Sequence, residues 1–358
     1  MPSTARSRPE AAAAAETPDQ SDRKIINLAL QGGGAHGAFT WGVLDRLLED
    51  ERIGIEGVTA TSAGAMNAAV LAYGHALGGD AGARQALDGF WKRVSDAARF
   101  SPLQPSPIDR LMHNYGLDNS PAFIAADMMS RLFSPYELNP LNLNPLKDVL
   151  EASVDFKILR ERPSLIKLFL SATNVRTGKV KVFDKEELCA EAVLASACLP
   201  FMFQAVELKG EHYWDGGYMG NPAIFPVIYS CDSRDVLIVH INPLDRPDVP
   251  RSAKEIMNRI NEISFNSSLM REMRAIIFVS SLIESGRLDG KDMKHMLIHS
   301  IAADEVMIQL GVNSKMNADW EFLQHLKETG RQHADAWLGA NYQHLGVKSS
   351  VDIRKQYL

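Results

Sequence analysis

Cysteine is scarce in this chain. Only Cys189, Cys198 and Cys231 occur in 358 residues, with no spacing that suits a metal ligand set. An odd number of this kind excludes a disulfide framework and fits a reduced, intracellular protein. No run of about 18 apolar residues is present, so no helix is expected to span a bilayer. Basic excess is missing as well. A net charge of −6 and a pI near 6.0 exclude nucleic acid as the main partner, though not a local basic patch. There is no internal repeat. The first 22 residues lack apolar bulk, and Ala11 to Ala15, flanked by Glu10 and Glu16, is too short for a signal-peptide core. Residues 1–22 therefore read as a disordered tail. The expected location is cytoplasmic, with any membrane contact peripheral.

Hydrophobic residues make up 46% and charged residues 23%, enough for one large domain with an extension. The stretch from Ile25 to Asn67 organises the rest. An apolar run, Ile25 to Leu30, predicts a buried strand. Gly32-Gly33-Gly34-Ala35-His36-Gly37 follows, and then Phe39, Val43, Leu44, Leu47 and Leu48 recur at helical spacing. A second strand, about Ile55 to Thr61, runs into Ala60-Thr61-Ser62-Ala63-Gly64, and Ala65 to Ala72 suits a second helix. Two strand–turn–helix units thus stand side by side. Uncovered glycine amides at a helix N-terminus make an anion site. A serine on a sharp strand-to-helix turn is the arrangement of a nucleophile elbow. Together they point to acyl transfer, with the glycine amides holding the oxyanion formed when Ser62 attacks a carbonyl.

A rival reading is open at this point. Gly32-x-Gly34-x-x-Gly37 also satisfies the dinucleotide fingerprint. That fingerprint asks for an acidic residue closing the second strand. Glu56 has roughly the spacing but precedes the apolar part of that strand.

Leu71 to Ala98 is mostly helical. From 99 to 145 the prolines Pro102, Pro105, Pro107, Pro121, Pro135, Pro140 and Pro145 forbid a long helix. Short helices with Leu111-Met112, Phe123-Ile124, Met128-Met129, Leu132-Phe133 and Leu141 to Leu143 form either a cap packed on the core or a mobile lid over an acyl channel. Leu165 to Ala172 reads as a strand, Lys179 to Phe183 as an edge strand and Glu187 to Ala197 as a helix. A hairpin turning at Lys209-Gly210 delivers Asp215-Gly216-Gly217. Val236 to Ile241 reads as the last strand of the sheet, although Met296 to Ile301 has strand character too. Residues 245–358 read as a mainly helical extension. In it Ile256, Ile260, Ile263, Phe265, Leu269, Met273, Ile276 and Ile277 share roughly one face, which favours core packing.

A serine nucleophile needs a base. The chain has ten histidines, and none stands in a recognisable motif. Asp215 does, at a strand end with two glycines behind it, although Asp-Gly-Gly is also ordinary turn chemistry.

These three motifs, in this order, resemble the patatin-like phospholipase family, which carries G-G-G-x-basic-G, G-x-S-x-G and D-G-G/A. Ala172-Thr173-Asn174 with Thr177-Gly178, the run Ala195 to Pro200, and Asn221 after the triplet add to the likeness, which covers about residues 25 to 230. The resemblance implies a Ser–Asp dyad, with Ser62 as nucleophile and Asp215 as proton acceptor. Gly32, Gly33 and Gly34 would supply oxyanion donors, with the Ala63 amide as an addition. Gly37, Ala60, Gly64, Gly216 and Gly217 complete the motifs. Two positions depart from the pattern. Ala60 replaces the first elbow glycine. His36 stands where the family has Arg or Lys, so it either caps the helix as a neutral residue or supports the turn while protonated.

The expected fold is a three-layer α/β/α sandwich around a largely parallel sheet. The domains are 25–230 as the catalytic unit, with 99–145 as its cap or lid, and 245–358 as the helical extension. The expected function is a serine acyl-ester hydrolase acting on lipids, with no metal and no cofactor. An acyl hydrolase for a storage polyester, a nucleotide-binding module and a catalytically silent scaffold are the alternatives. The sequence leaves the oligomeric state open.

Overall fold

The computed structural model describes residues 23–99, 101, 104, 115–117, 120–162, 166–289 and 293–358. The expected tail 1–22 and the stretch around Leu111-Met112 lie outside these residues.

The strands are β1 (Lys24–Leu30), β2 (Ile53–Ala60), β3 (Lys167–Asn174), β4 (Val180–Phe183), β5 (Val206–Leu208), β6 (Glu211–Asp215), β7 (Asp235–Val239) and β8 (Leu297–Ile301). They form one sheet in the order β5-β6-β3-β2-β1-β7-β8, with β4 also pairing β3. The run β3-β2-β1-β7-β8 is parallel, and β4, β5 and β6 join it antiparallel. Val236 to Ile241 is therefore not the last strand. β8 lies outside it, and its short apolar run LIHSI is buried at four of five positions, which weak alternation alone did not rank above β7.

Parallel strands carry apolar side chains on both faces, because both faces are covered by helices. Neighbours along each strand point to opposite sides. Leu28, Leu30, Leu237 and Val239 accordingly join one core, and Ala29, Val236 and Ile238 join the other. The first core takes helices α1 (Gly37–Glu49) and α2 (Ala63–Ala98), together with helix Trp320–Asn341. The second takes Val227 of helix Phe225–Ser230, and Leu269, Met273 and Ile276 of helix Ala253–Glu284. The result is the α/β/α sandwich.

Helix α2 bends where Gly78 and Gly79 leave helical geometry. Trp91 on α2 stacks on Trp41 of α1, and its indole N–H donates to Asn67 at 2.9 Å. Within 245–358, β8 and helix Trp320–Asn341 are built into the sandwich, and Arg331 of that helix pairs with Asp45 of α1. Helix Ala253–Glu284 uses its apolar residues in two ways. Leu269, Met273, Ile276 and Ile277 are buried, whereas Ile256, Ile260 and Ile263 are exposed. Among the described residues, no helix is long and apolar enough to cross a membrane.

Candidate active site

The carboxyl ends of β1 and β2 meet at the glycine turn and at Ser62, the usual place for a site on a parallel sheet. Ser62 closes the step from β2 into α2 with φ 56° and ψ −124°, a conformation that side chains rarely adopt. Several bonds hold this strained residue. The Ser62 amide donates to Ser196 Oγ at 2.9 Å, and Ser196 Oγ donates to the Ser171 carbonyl at 2.6 Å. The Thr61 hydroxyl donates to the Gly220 carbonyl at 2.6 Å. Behind the turn the backbone of β1 comes so close that a Cβ on Gly64 would lie 2.4 Å from the Leu30 carbonyl oxygen. Ala60, the departure from the first elbow glycine, is the last residue of β2. It is fully buried in register with Leu30 and Leu170, so its methyl group is accommodated.

Asp215 ends β6. β3 and the loop after helix Ala190–Ser196 hold it there: Thr173 Oγ1 donates to its carbonyl at 2.8 Å, and its amide donates to the Cys198 carbonyl at 2.8 Å. Its carboxylate accepts the Gly217 amide at 2.7 Å, and the Ser62 side chain favours its charged form. Gly216 lets the chain turn against β3, where a Cβ would lie 2.1 Å from the Ser171 carbonyl oxygen. Burial pushes the Asp215 carboxyl up to about 6, against the pull of the Gly217 amide, Ser62 and Lys315. A carboxylate raised in this way is a better proton acceptor than an ordinary aspartate and is still largely ionised at neutral pH.

The glycine turn differs from the expectation in one respect. The Gly32 amide is already engaged, donating to Asn221 Oδ1 at 2.7 Å, so it is not an open oxyanion donor. Among the described residues, the Gly33 and Gly34 amides have no acceptor. Gly32, Gly33, Gly34, Ser62, Ala63, Asp215 and Gly217 all line one cavity of about 380 Å³. Gly37, Ala60, Gly64 and Gly216 stand behind it. Gly37 accepts from Asn67 Nδ2 at 2.9 Å and so ties the start of α1 to α2.

His36 is buried and bonds Ser314 Oγ through Nε2 at 2.7 Å. Burial first, and Lys315 second, hold its pKa well below the ordinary histidine value. Both effects disfavour its charged form, so its surroundings favour the alternative in which His36 is a neutral residue. The nucleotide reading fares poorly. Glu56 sits in mid-strand, and its carboxylate is taken by Lys167 and by the amides of Asp232 and Ser233.

The cavity walls are apolar. They come from Met66, Phe90 and Val94 of α2, Leu146 and Val149 of helix Pro145–Glu151, and Phe203. The expected cap or lid spans 99–145. Of the described residues in that segment, only Ser101 and Pro145 reach the cavity. Ile124, Met128, Leu132, Phe133, Leu141 and Leu143 are instead exposed, with Leu132 at 73% and Leu141 at 78%. Gln204 Nε2 donates to the Asn139 carbonyl, and the Ala205 backbone amide donates to Tyr136 Oη. These bonds tie the segment to the chain just after Phe201 and Met202, both exposed, of which Met202 lines the cavity.

The sequence reading missed Lys315 and Asn242. Lys315 lines the cavity, and its Nζ donates to Asn242 Oδ1 at 2.7 Å. Neither residue stands in a motif. The one available signal was the missing positive charge at position 36.

Comparison with solved structures finds VipD from Legionella pneumophila, with 17% identity and a TM-score of 0.43 over 88% of this chain and 67% of that one. It also finds ExoU in its complex with SpcU, from the type III secretion system of Pseudomonas aeruginosa, with 16% identity and a TM-score of 0.37 over 94% of this chain. The chain spans 58% of the length of that ExoU chain. Comparison with curated proteins gives no match. The family model for patatin-like phospholipases, in contrast, matches residues 28–228. That match starts in β1, takes in the glycine turn, the elbow and the Asp-Gly-Gly triplet, and covers more than half of the sequence, so the chain belongs to the patatin-like phospholipase family.

Proposed function

We propose that the protein is a serine acyl-ester hydrolase acting on lipids through a Ser62–Asp215 dyad. The observation that carries this reading is that Ser62 and the buried Asp215 line one apolar cavity together with the Gly33 and Gly34 turn. Ser62 Oγ attacks the ester carbonyl carbon as its proton passes to Asp215. The negative charge moves onto the carbonyl oxygen, where the open Gly33 and Gly34 amides receive it. Collapse of this intermediate breaks the ester bond, and the alcohol leaves with the proton held by Asp215. Water then loses a proton to Asp215 and attacks the acyl-serine. The fatty acid departs and the proton returns to Ser62.

The acyl chain is assigned to the cavity because its walls offer few polar groups, and burying one methylene there is worth about 0.8 kcal/mol. The exposed apolar residues favour a lipid substrate presented at an interface over a freely soluble one. In this reading residues 25–230 carry the dyad, and 245–358 contribute the segment that closes the site behind the glycine turn. The test is fatty-acid release from phospholipid vesicles and from soluble nitrophenyl esters. The wild type is expected to turn over both, and Ser62→Ala neither. Near-normal turnover in folded Ser62→Ala would remove the assignment.

A further inference from the structure

The resemblance implies a basic residue just before the last glycine of the turn, and here that position is a buried histidine whose charged form is disfavoured. A cation is nevertheless present beside the turn, and it comes from the far end of the chain. The segment Val312–Met316 lies against the glycines so closely that a side chain on Gly34 would meet the Lys315 carbonyl oxygen at 2.4 Å. His36 anchors it there through the 2.7 Å bond to Ser314, whose hydroxyl in turn donates to the Gly311 carbonyl at 2.6 Å. Asn242 makes a second link. Its Oδ1 accepts Lys315 Nζ at 2.7 Å, and its Nδ2 donates to the Gly32 carbonyl at 3.0 Å. Lys315 also lines the same cavity as Ser62, Gly33 and Gly34.

Resting on the dyad reading above, we propose that Lys315 supplies the positive charge that supports the oxyanion turn, and that His36 is the positioning residue that holds Lys315 there through Ser314. The charged groups around Lys315 are consistent with this. Glu262, on helix Ala253–Glu284, is already paired with Arg246 and Arg259. Among the described residues no carboxylate lies within ion-pair distance of Lys315, and Asp215 acts on it only from further off. Arg246 repels it, and the charged form of His36 is disfavoured. Lys315 therefore lines the reaction space, and among the described residues its charge has no ion-pair partner. It is hydrogen-bonded to a neutral amide, the arrangement that lets a cation respond to charge developing on a substrate. Burial lowers its pKa to about 8, so it is mostly protonated at neutral pH and is lost as a cation in mildly alkaline solution.

The experiment uses the full chain and a neutral soluble ester, p-nitrophenyl butyrate. Lys315→Met is expected to lower kcat at pH 7 by at least tenfold, less than the roughly 10²- to 10³-fold typical of losing a direct oxyanion donor. KM should change little. The wild-type kcat is expected to fall above about pH 8, and Lys315→Arg is expected to keep most of the activity while losing that alkaline limb, because arginine stays charged. This pH readout does not depend on Lys315→Met folding well. Retained kcat in folded Lys315→Met, an effect confined to KM, or an alkaline limb that persists unchanged in Lys315→Arg would each overturn the proposal. Covalent labelling of Ser62 by a fluorophosphonate keeps the two ideas separate. An unlabelled wild type defeats the dyad, whereas a labelled wild type with unaffected Lys315 variants defeats only the role of Lys315.

Discussion

The backbone amide of Ser62 donates to the hydroxyl of Ser196 at 2.9 Å, across 134 positions of sequence. Ser196 is fully buried and hands its own proton to Ser171, so it accepts from the elbow and donates to the sheet. Ser196→Ala removes the acceptor and leaves the Ser62 amide without a protein partner. Losing such a partner costs roughly 1–3 kcal/mol. The expected outcome is a lower melting temperature together with at least a tenfold fall in kcat on a soluble ester. A melting temperature and kcat both unchanged would show that the elbow is held without Ser196.

Asp215→Asn is expected to abolish turnover and to stabilise the protein. The folded-state carboxyl sits at about 6, above its unfolded value near 3.9, so ionising it works against folding. The penalty is fully present above about pH 6 and absent below about pH 4, where the group is protonated in both states. A two-unit shift corresponds to an upper figure of about 3 kcal/mol. Denaturant unfolding at pH 7.5 should therefore show Asp215→Asn as the more stable protein, with the difference vanishing at pH 3.5. Equal or lower stability at pH 7.5 would contradict the buried-carboxylate account.

The same group sets an acid limb. Activity requires Asp215 ionised, so kcat/KM on a neutral ester is expected to fall about tenfold per pH unit below about pH 6. Activity that stays flat down to pH 4.5 would mean that another group, or none, takes the serine proton.

What the sequence disclosed is what local pattern controls. The apolar run before the glycines and the three-to-four spacing after them gave β1 and α1 to within a residue or two, and the Lys209-Gly210 turn gave the β5–β6 hairpin that aims Asp215. Residue chemistry known only through folding stayed hidden. Nothing in the stretch around Lys315 marks it, because its place depends on a bond between His36 and Ser314, 278 positions apart. Asn221 could be noted but not assigned; its capture of the Gly32 amide became visible only with the fold. In the proline-broken segment, apolar content did not tell which side chains are buried: Phe123 is, whereas Leu132, Leu141 and Leu143 are exposed.

Those exposed side chains give an expectation for the segment. Leu132→Asp and Phe201→Asp place charges on exposed positions that do not line the cavity. Hydrolysis of phospholipid in vesicles should drop by about tenfold or more, because a charge is costly to carry into an apolar interface. Hydrolysis of p-nitrophenyl butyrate should stay within about twofold of the wild type. Equal losses on both substrates would show that the residues support the fold rather than the interface.

The most direct measurement of the central claim is reaction of the wild-type protein with a fluorophosphonate, followed by intact mass and peptide mapping. The dyad account predicts a single adduct on Ser62, absent in Ser62→Ala and formed much more slowly in Asp215→Asn, where the buried proton acceptor next to the Ser62 hydroxyl is gone. An esterase-active protein that carries no adduct, or carries it on another residue, would contradict the account.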